Sequence, residues 1–95
     1  MHPISNTPSG THMVLIPCYN PGAKIEQTIR QVRVQWNPVW VVVDGSTDGS
    51  TVILKNLAMQ DNGLKVWELP INQGKGAAVL FGLQQAQTAG FTHVL

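Results

Sequence analysis

The sequence predicts a parallel α/β domain with a strand–helix order closed by a fourth strand. Two observations carry this. Short apolar runs recur at residues 13–16, 39–43 and 64–69, and segments with helical spacing of apolar residues lie between them. Strands that are apolar throughout and separated by helices belong to a parallel sheet covered on both faces. The chirality of the chain makes the crossovers right-handed. The resulting order is βαβαβαβ, a Rossmann-like arrangement.

Each element has its own local reason. Residues 1–11 are rich in Pro, Ser, Asn and Gly and read as a flexible lead-in, with the domain occupying 12–95. Met13, Val14, Leu15 and Ile16 form the first strand, which Pro17 is expected to close. Residues 18–22 (CYNPG) are turn chemistry. Ile25, Ile29, Val32 and Trp36 recur at helical spacing, giving a helix over 23–35 that Asn37 and Pro38 end. Residues 39–43 make the second strand. Asp48 or Ser50 can cap the second helix, which carries Ile53, Leu54, Leu57 and Ala58 on one side. Asn62 and Gly63 stop it, with Gly63 available for a left-handed cap. Residues 64–69 make the third strand, ended by Pro70. A glycine-rich loop (NQGKG, 72–76) leads to a helix over 77–89, and residues 92–95 begin a fourth strand. The chain stops inside that strand, which reads as an N-terminal fragment; the alternative is a small natural βαβαβαβ protein.

Composition narrows the function. The net charge is +1, and the lysines and arginines are scattered, so there is no electrostatic footprint for nucleic acid or anionic lipid. Only 12% of residues are charged, low for a domain that exposes its whole surface. A single cysteine, Cys18, excludes an internal disulfide and fits a reducing compartment. No apolar run approaches the roughly 18 residues that span a bilayer, and the N-terminus lacks the pattern of a secretory signal.

Three loops leave the carboxyl ends of parallel strands, at 17–22, 44–50 and 70–76, and open on one edge of the sheet, where open α/β sheets bind ligands. Their chemistry is complementary: an aromatic ring and an amide from Tyr19 and Asn20, a carboxylate from Asp44, and backbone amides with an ammonium from Gly74 and Lys75. A nucleotide needs a flat surface, a partner for its base edge and donors near its phosphates. Asp44 is read as a ligand contact; the alternative is that it bonds the amides of its own turn. Asp48 is read as the helix cap. Tyr19 either lies against a base or packs with its hydroxyl anchored. Asn20 braces its loop. Cys18 is read as an inert small residue. The 72–76 loop matches neither the phosphate-binding loop of ATPases nor a dinucleotide fingerprint. His12 and His93 are separated by the whole chain, and metal binding by them is not expected. Trp36, Trp40 and Trp67 are read as core or rim.

Taken together, residues 14–20 (VLIPCYN), 41–50 (VVVDGSTDGS) and 72–78 (NQGKGAA) resemble the N-terminal half of family 2 glycosyltransferases, inverting enzymes with the GT-A fold. The motifs stand in the family's order and cover most of the chain after the lead-in. The resemblance implies a truncated GT-A domain that binds a nucleoside diphosphate sugar, UDP- or GDP-linked. It implies that Pro17, Tyr19 and Asn20 border the base and ribose, that Asp44 contacts the base edge, and that Asn72, Gly74 and Lys75 lie near the nucleotide. Many members pair the aspartate with a second acidic residue; Val43 stands there in this chain. Related sequences with the G-K-G-A-A loop often carry Arg a few residues on, near where Leu80 stands in this chain. The family's D-x-D motif, which holds Mg²⁺ or Mn²⁺, and its catalytic base would follow residue 95. The resemblance therefore implies an enzyme acting in the cytoplasm or at the cytoplasmic face of a membrane, with this segment inactive alone. The alternatives are a nucleotidyltransferase-like enzyme and a non-catalytic nucleotide-binding or structural α/β module.

Overall fold

A computed structural model describes residues 9–95. The order is β1 (His12–Cys18), α1 (Ile25–Gln35), β2 (Val39–Asp44), α2 (Ser50–Met59), β3 (Leu64–Leu69), α3 (Lys75–Thr88) and β4 (His93–Val94). The four strands form one parallel sheet in the order β3-β2-β1-β4. The expected fold class is the one observed. Ser9 to Thr11, assigned to the lead-in, are tied to the domain: Ser9 N donates to Asn37 O at 2.9 Å, and Ser9 Oγ accepts from the amides of Thr11 and His12. The rest of the lead-in lies outside the described residues.

Alternation along the strands divides the core. Val39, Val41 and Val43 point to one face and pack with Ile25, Ile29, Leu54 and Leu57 of α1 and α2. Trp40 and Val42 point to the other, where Met13, Leu15 and the small residues Ala78 and Ala86 of α3 meet them. An aromatic layer extends this second core. Trp40 lies 5.7 Å from Trp67 and 5.6 Å from Phe91, and Trp67 lies 5.5 Å from Phe81, in tilted or edge-on pairs. The Lys65 ammonium sits 4.5 Å from the centre of the Trp67 ring. Gly82 lets α3 approach closely, because a Cβ there would come within 2.5 Å of Leu15 Cδ1.

Three local expectations change. Pro17 does not close β1; it pairs in register with Val42. Val14 N bonds Pro38 O on the β2 side and Leu15 N bonds Leu95 O on the β4 side. Pro17 therefore faces the β4 side past Leu95, where its missing N–H interrupts no described ladder bond. Gly63 is not a left-handed cap, since its φ is not positive. A side chain there would collide with the Arg33 guanidinium, so the glycine makes room for an ion pair. Arg33 donates through Nε and Nη2 to Asp61 at 2.8 and 2.9 Å, and through Nη1 to Trp36 O at 2.6 Å. These bonds hold the Asp61 carboxyl below its usual range and fasten the end of α1 to the α2–β3 loop. Finally, α1 and α3 each begin two residues away from the expected start: α1 at Ile25 rather than residue 23, and α3 at Lys75 rather than residue 77.

The division of α2 into a core face and a solvent face gives a direct check. Leu54 is fully buried and Val52 is 64% exposed on the same helix. Leu54→Ala should lower unfolding free energy by about 2–4 kcal/mol, whereas Val52→Ala should stay within about 0.5 kcal/mol, both read by urea denaturation. Equal effects of the two would contradict this packing.

Candidate functional site

The crevice at the carboxyl ends of β1, β2 and β3 is built by three loops that hold one another. Asp44 ends β2 with its side chain on the α3 face, because its neighbour Val43 points into the α1/α2 core. It is 2% exposed. An isolated carboxylate would not survive there; burial of a charge requires hydrogen bonds to it. Asp44 has them. Oδ1 accepts from Gln73 N at 2.9 Å, and Oδ2 accepts from Gly74 N at 2.9 Å and Asn72 Nδ2 at 3.3 Å. Asn72 Nδ2 also donates to the Asp44 carbonyl. The carboxylate thus bonds amides of the neighbouring β3–α3 loop rather than those of its own turn. By capturing the Gly74 N–H it brings the chain into α3 two residues before the expected start. Gly74 stands at φ 98°, ψ 157°, a conformation essentially reserved for glycine. Gly45, at φ 69°, lies against the same loop, where a Cβ would strike the Asn72 backbone nitrogen.

The other two loops are joined in the same way. Asn20 Oδ1 accepts from Thr47 N at 2.6 Å and Asp48 N at 3.2 Å, and Asn20 N donates to Ser46 Oγ at 2.7 Å. Asn20 holds a positive φ of 46°, tolerable for Asn in a tight turn. Asp48 Oδ2 accepts from Gly22 N at 2.9 Å, and its Oδ1 accepts from Ser50 N at 3.0 Å. The N-cap position of α2 is Gly49, but the carboxylate of Asp48 serves the first helical amide. Hydrogen bonding from Ser50 and Gly22 lowers the Asp48 pKa from its ordinary value.

A cavity of about 370 Å³ opens between these loops, lined by Pro17, Cys18, Tyr19, Asp44, Asn72, Lys75 and Ala78. Five of the seven sequence-predicted residues therefore meet on one cavity. Asn20 and Gly74 are not in its lining and act on the loops instead. Tyr19 is 53% exposed, so its ring is available to a flat ligand. Lys75 begins α3, whose first amides have no intrahelical partners. Ammonium and helix N-terminus together favour an anion. Cys18 and Ala78 also line the cavity; the sequence marked them only as an inert small residue and an inward-facing helix residue.

The donor set does not fit a divalent cation. No group of three or more His, Cys, Asp or Glu is placed to hold a metal ion among the described residues, and the two carboxylates nearest the cavity, Asp44 and Asp48, each bond loop amides instead of converging on one point. No ligand set for Mg²⁺ or Mn²⁺ is assembled among the described residues, and no step below is routed through such an ion.

Burial, and then the Asp48 charge, push the Cys18 thiol up to about 11. At pH 8 only on the order of one thiol in a thousand is then ionised, so it is a poor nucleophile. Iodoacetamide labelling of Cys18, followed by mass spectrometry, should rise about tenfold per pH unit through pH 9.5, without the plateau near 8.5 of an ordinary thiol. A plateau below pH 9 would contradict the buried thiol.

The sequence model of the family described as "Glycosyl transferase family 2" matches residues 13–92. An uncharacterised glycosyltransferase of Haemophilus influenzae (strain Rd) is 34% identical over 77 residues, which cover 78% of this chain and 31% of that protein. The chain thus spans about a third of the length of that curated relative. No solved structure matches it significantly.

Proposed function

This chain belongs to glycosyl transferase family 2, and on that premise we propose that it supplies the donor-nucleotide part of an enzyme moving a sugar from a UDP- or GDP-linked donor to an acceptor hydroxyl. The observation that carries the reading is the shared cavity: an exposed aromatic ring, a carboxylate, an amide side chain and an ammonium at a helix start converge on one space of nucleoside size.

Each residue then has a role set by its surroundings. Tyr19 lies against the base, with Pro17 beside it. Asp44 has a dual role. Two amides and the Asn72 side chain hold it in place, and Oδ1, which carries one of these bonds, keeps a lone pair for an N–H on the base edge or a ribose hydroxyl. Lys75 and the first-turn amides of α3 face the diphosphate, where their positive ends offset its charge. Asn20 and Gly74 position the loops. Val43 is fully buried in the α1/α2 core, so Asp44 acts without an adjacent carboxylate. Sugar transfer needs a base to activate the acceptor and an electrophile for the leaving diphosphate; both lie on parts of the enzyme outside this segment, which by itself binds the donor and does not turn it over. No described helix is long and apolar enough to cross a membrane. We propose that the enzyme acts in the cytoplasm or at its membrane face, a compartment that the free Cys18 thiol of this segment fits.

The test is a ¹⁵N NMR titration of the chain with UDP, GDP and their sugars. Amide shifts should centre on Tyr19, Asp44 and residues 73–77. Lys75→Ala should weaken binding about tenfold, the worth of one charge-assisted hydrogen bond. Shifts remote from the crevice, or none with any of these nucleotides at millimolar concentration, would overturn the reading.

A further inference from the structure

At the opposite edge of the sheet, the fold brings together two histidines that are far apart in sequence. His12 opens β1, His93 opens β4, and they are register partners on adjacent parallel strands. Their rings stack with centroids 4.1 Å apart and an interplanar angle of 0°. Each Nδ1 is bonded to the hydroxyl of the preceding threonine, His12 to Thr11 Oγ1 at 2.7 Å and His93 to Thr92 Oγ1 at 2.8 Å. His93 and both threonines are exposed and His12 is half-buried, so the pair is open to solvent.

The hydrogen bonds determine which nitrogen carries the proton. A threonine hydroxyl has one proton to give. Thr92 gives its proton to the Thr11 carbonyl at 3.2 Å. Its oxygen must then accept from His93, so the proton of the neutral imidazole sits on Nδ1 and the Nε2 lone pair is free. Thr11 Oγ1 lies against His12 Nδ1 in the same way, at 2.7 Å, and with Nδ1 as the donor there too the His12 Nε2 lone pair is free. A second-shell acceptor on one ring nitrogen, leaving the other bare, is the pattern that orients histidine for a metal.

We propose that His12 and His93 form a two-histidine site for a late first-row divalent transition metal, of the Zn²⁺, Ni²⁺ or Cu²⁺ class, bound through the two Nε2 atoms with water in the remaining positions. Imidazole nitrogen suits these ions and not Mg²⁺. Two nitrogens each about 2.0–2.1 Å from a tetrahedral zinc lie roughly 3.3 Å apart, and the rings, stacked with centroids 4.1 Å apart, would turn out of their stack to converge on the ion. Occupation would cross-link β4 to β1, far from the crevice.

The probe is Zn²⁺ alone, titrated into the full 95-residue chain while the imidazole Cε1–H resonances are followed by NMR. The His12 and His93 signals should move together and saturate at one zinc per chain, with Mg²⁺ without effect. His12→Gln and His93→Gln should each weaken the site at least about tenfold, while His2→Gln leaves it unchanged. Thr92→Val keeps both rings and should also weaken it about tenfold, in a protein with unaltered far-UV circular dichroism. Absence of shifts at millimolar zinc, movement of one ring alone, or undiminished affinity in both glutamine variants would overturn the proposal.

Discussion

The crevice depends on one buried carboxylate. Asp44 ends a strand that is otherwise entirely valine and tryptophan, and a charge there is tolerated only because two backbone amides and an asparagine amide point at it. The dependence runs both ways. Those donors belong to a loop with its own glycine-only kink at Gly74, and without the carboxylate its amides would lose the partner that fixes the loop against β2. The start of α3, the position of Lys75 and the floor of the cavity follow from this one cluster of bonds.

The strand alternation determines which side the site is on. Successive side chains of β2 point to opposite faces, so Asp44 emerges on the α3 side and Val43 on the α1/α2 side. A second carboxylate at Val43 would enter an apolar core, not the crevice. The other loops repeat the pattern at lower burial. Asn20 and Asp48 exchange bonds across the β1–α1 and β2–α2 turns, so the polar residues nearest the cavity act mostly on one another. That leaves Tyr19 and Lys75, at two corners of the cavity, as the groups freest to meet a ligand.

Much of this was legible in the chain itself. The apolar runs and helical spacings give every element, because burial on both faces and amphipathic periodicity are written residue by residue. The three site loops could be placed on one sheet edge because strand direction fixes that edge. The rest required coordinates. Helix starts moved because loop bonds, not propensity, decide where α3 begins. Gly63 looked like a cap and is instead a space for Arg33, a contact between residues thirty positions apart. Pro17 looked like a terminator, yet sits within β1 because its nitrogen faces a side with no described partner. His12 and His93 looked unrelated, since cross-strand register leaves no trace in a single sequence. The sequence marks Asp44 as a ligand contact or a brace of its own turn, and its bonds reach instead the β3–α3 loop.

The measurement that bears most directly on this account is amide hydrogen exchange at Gln73 and Gly74, in the natural chain and in Asp44→Asn. The account predicts that both amides are protected in the natural chain and lose that protection in the variant, while amides of Val41 and Val42 in β2 stay protected. Rapid exchange of Gln73 and Gly74 in the natural chain, or protection unaffected by the substitution, would contradict the claim that Asp44 builds the crevice.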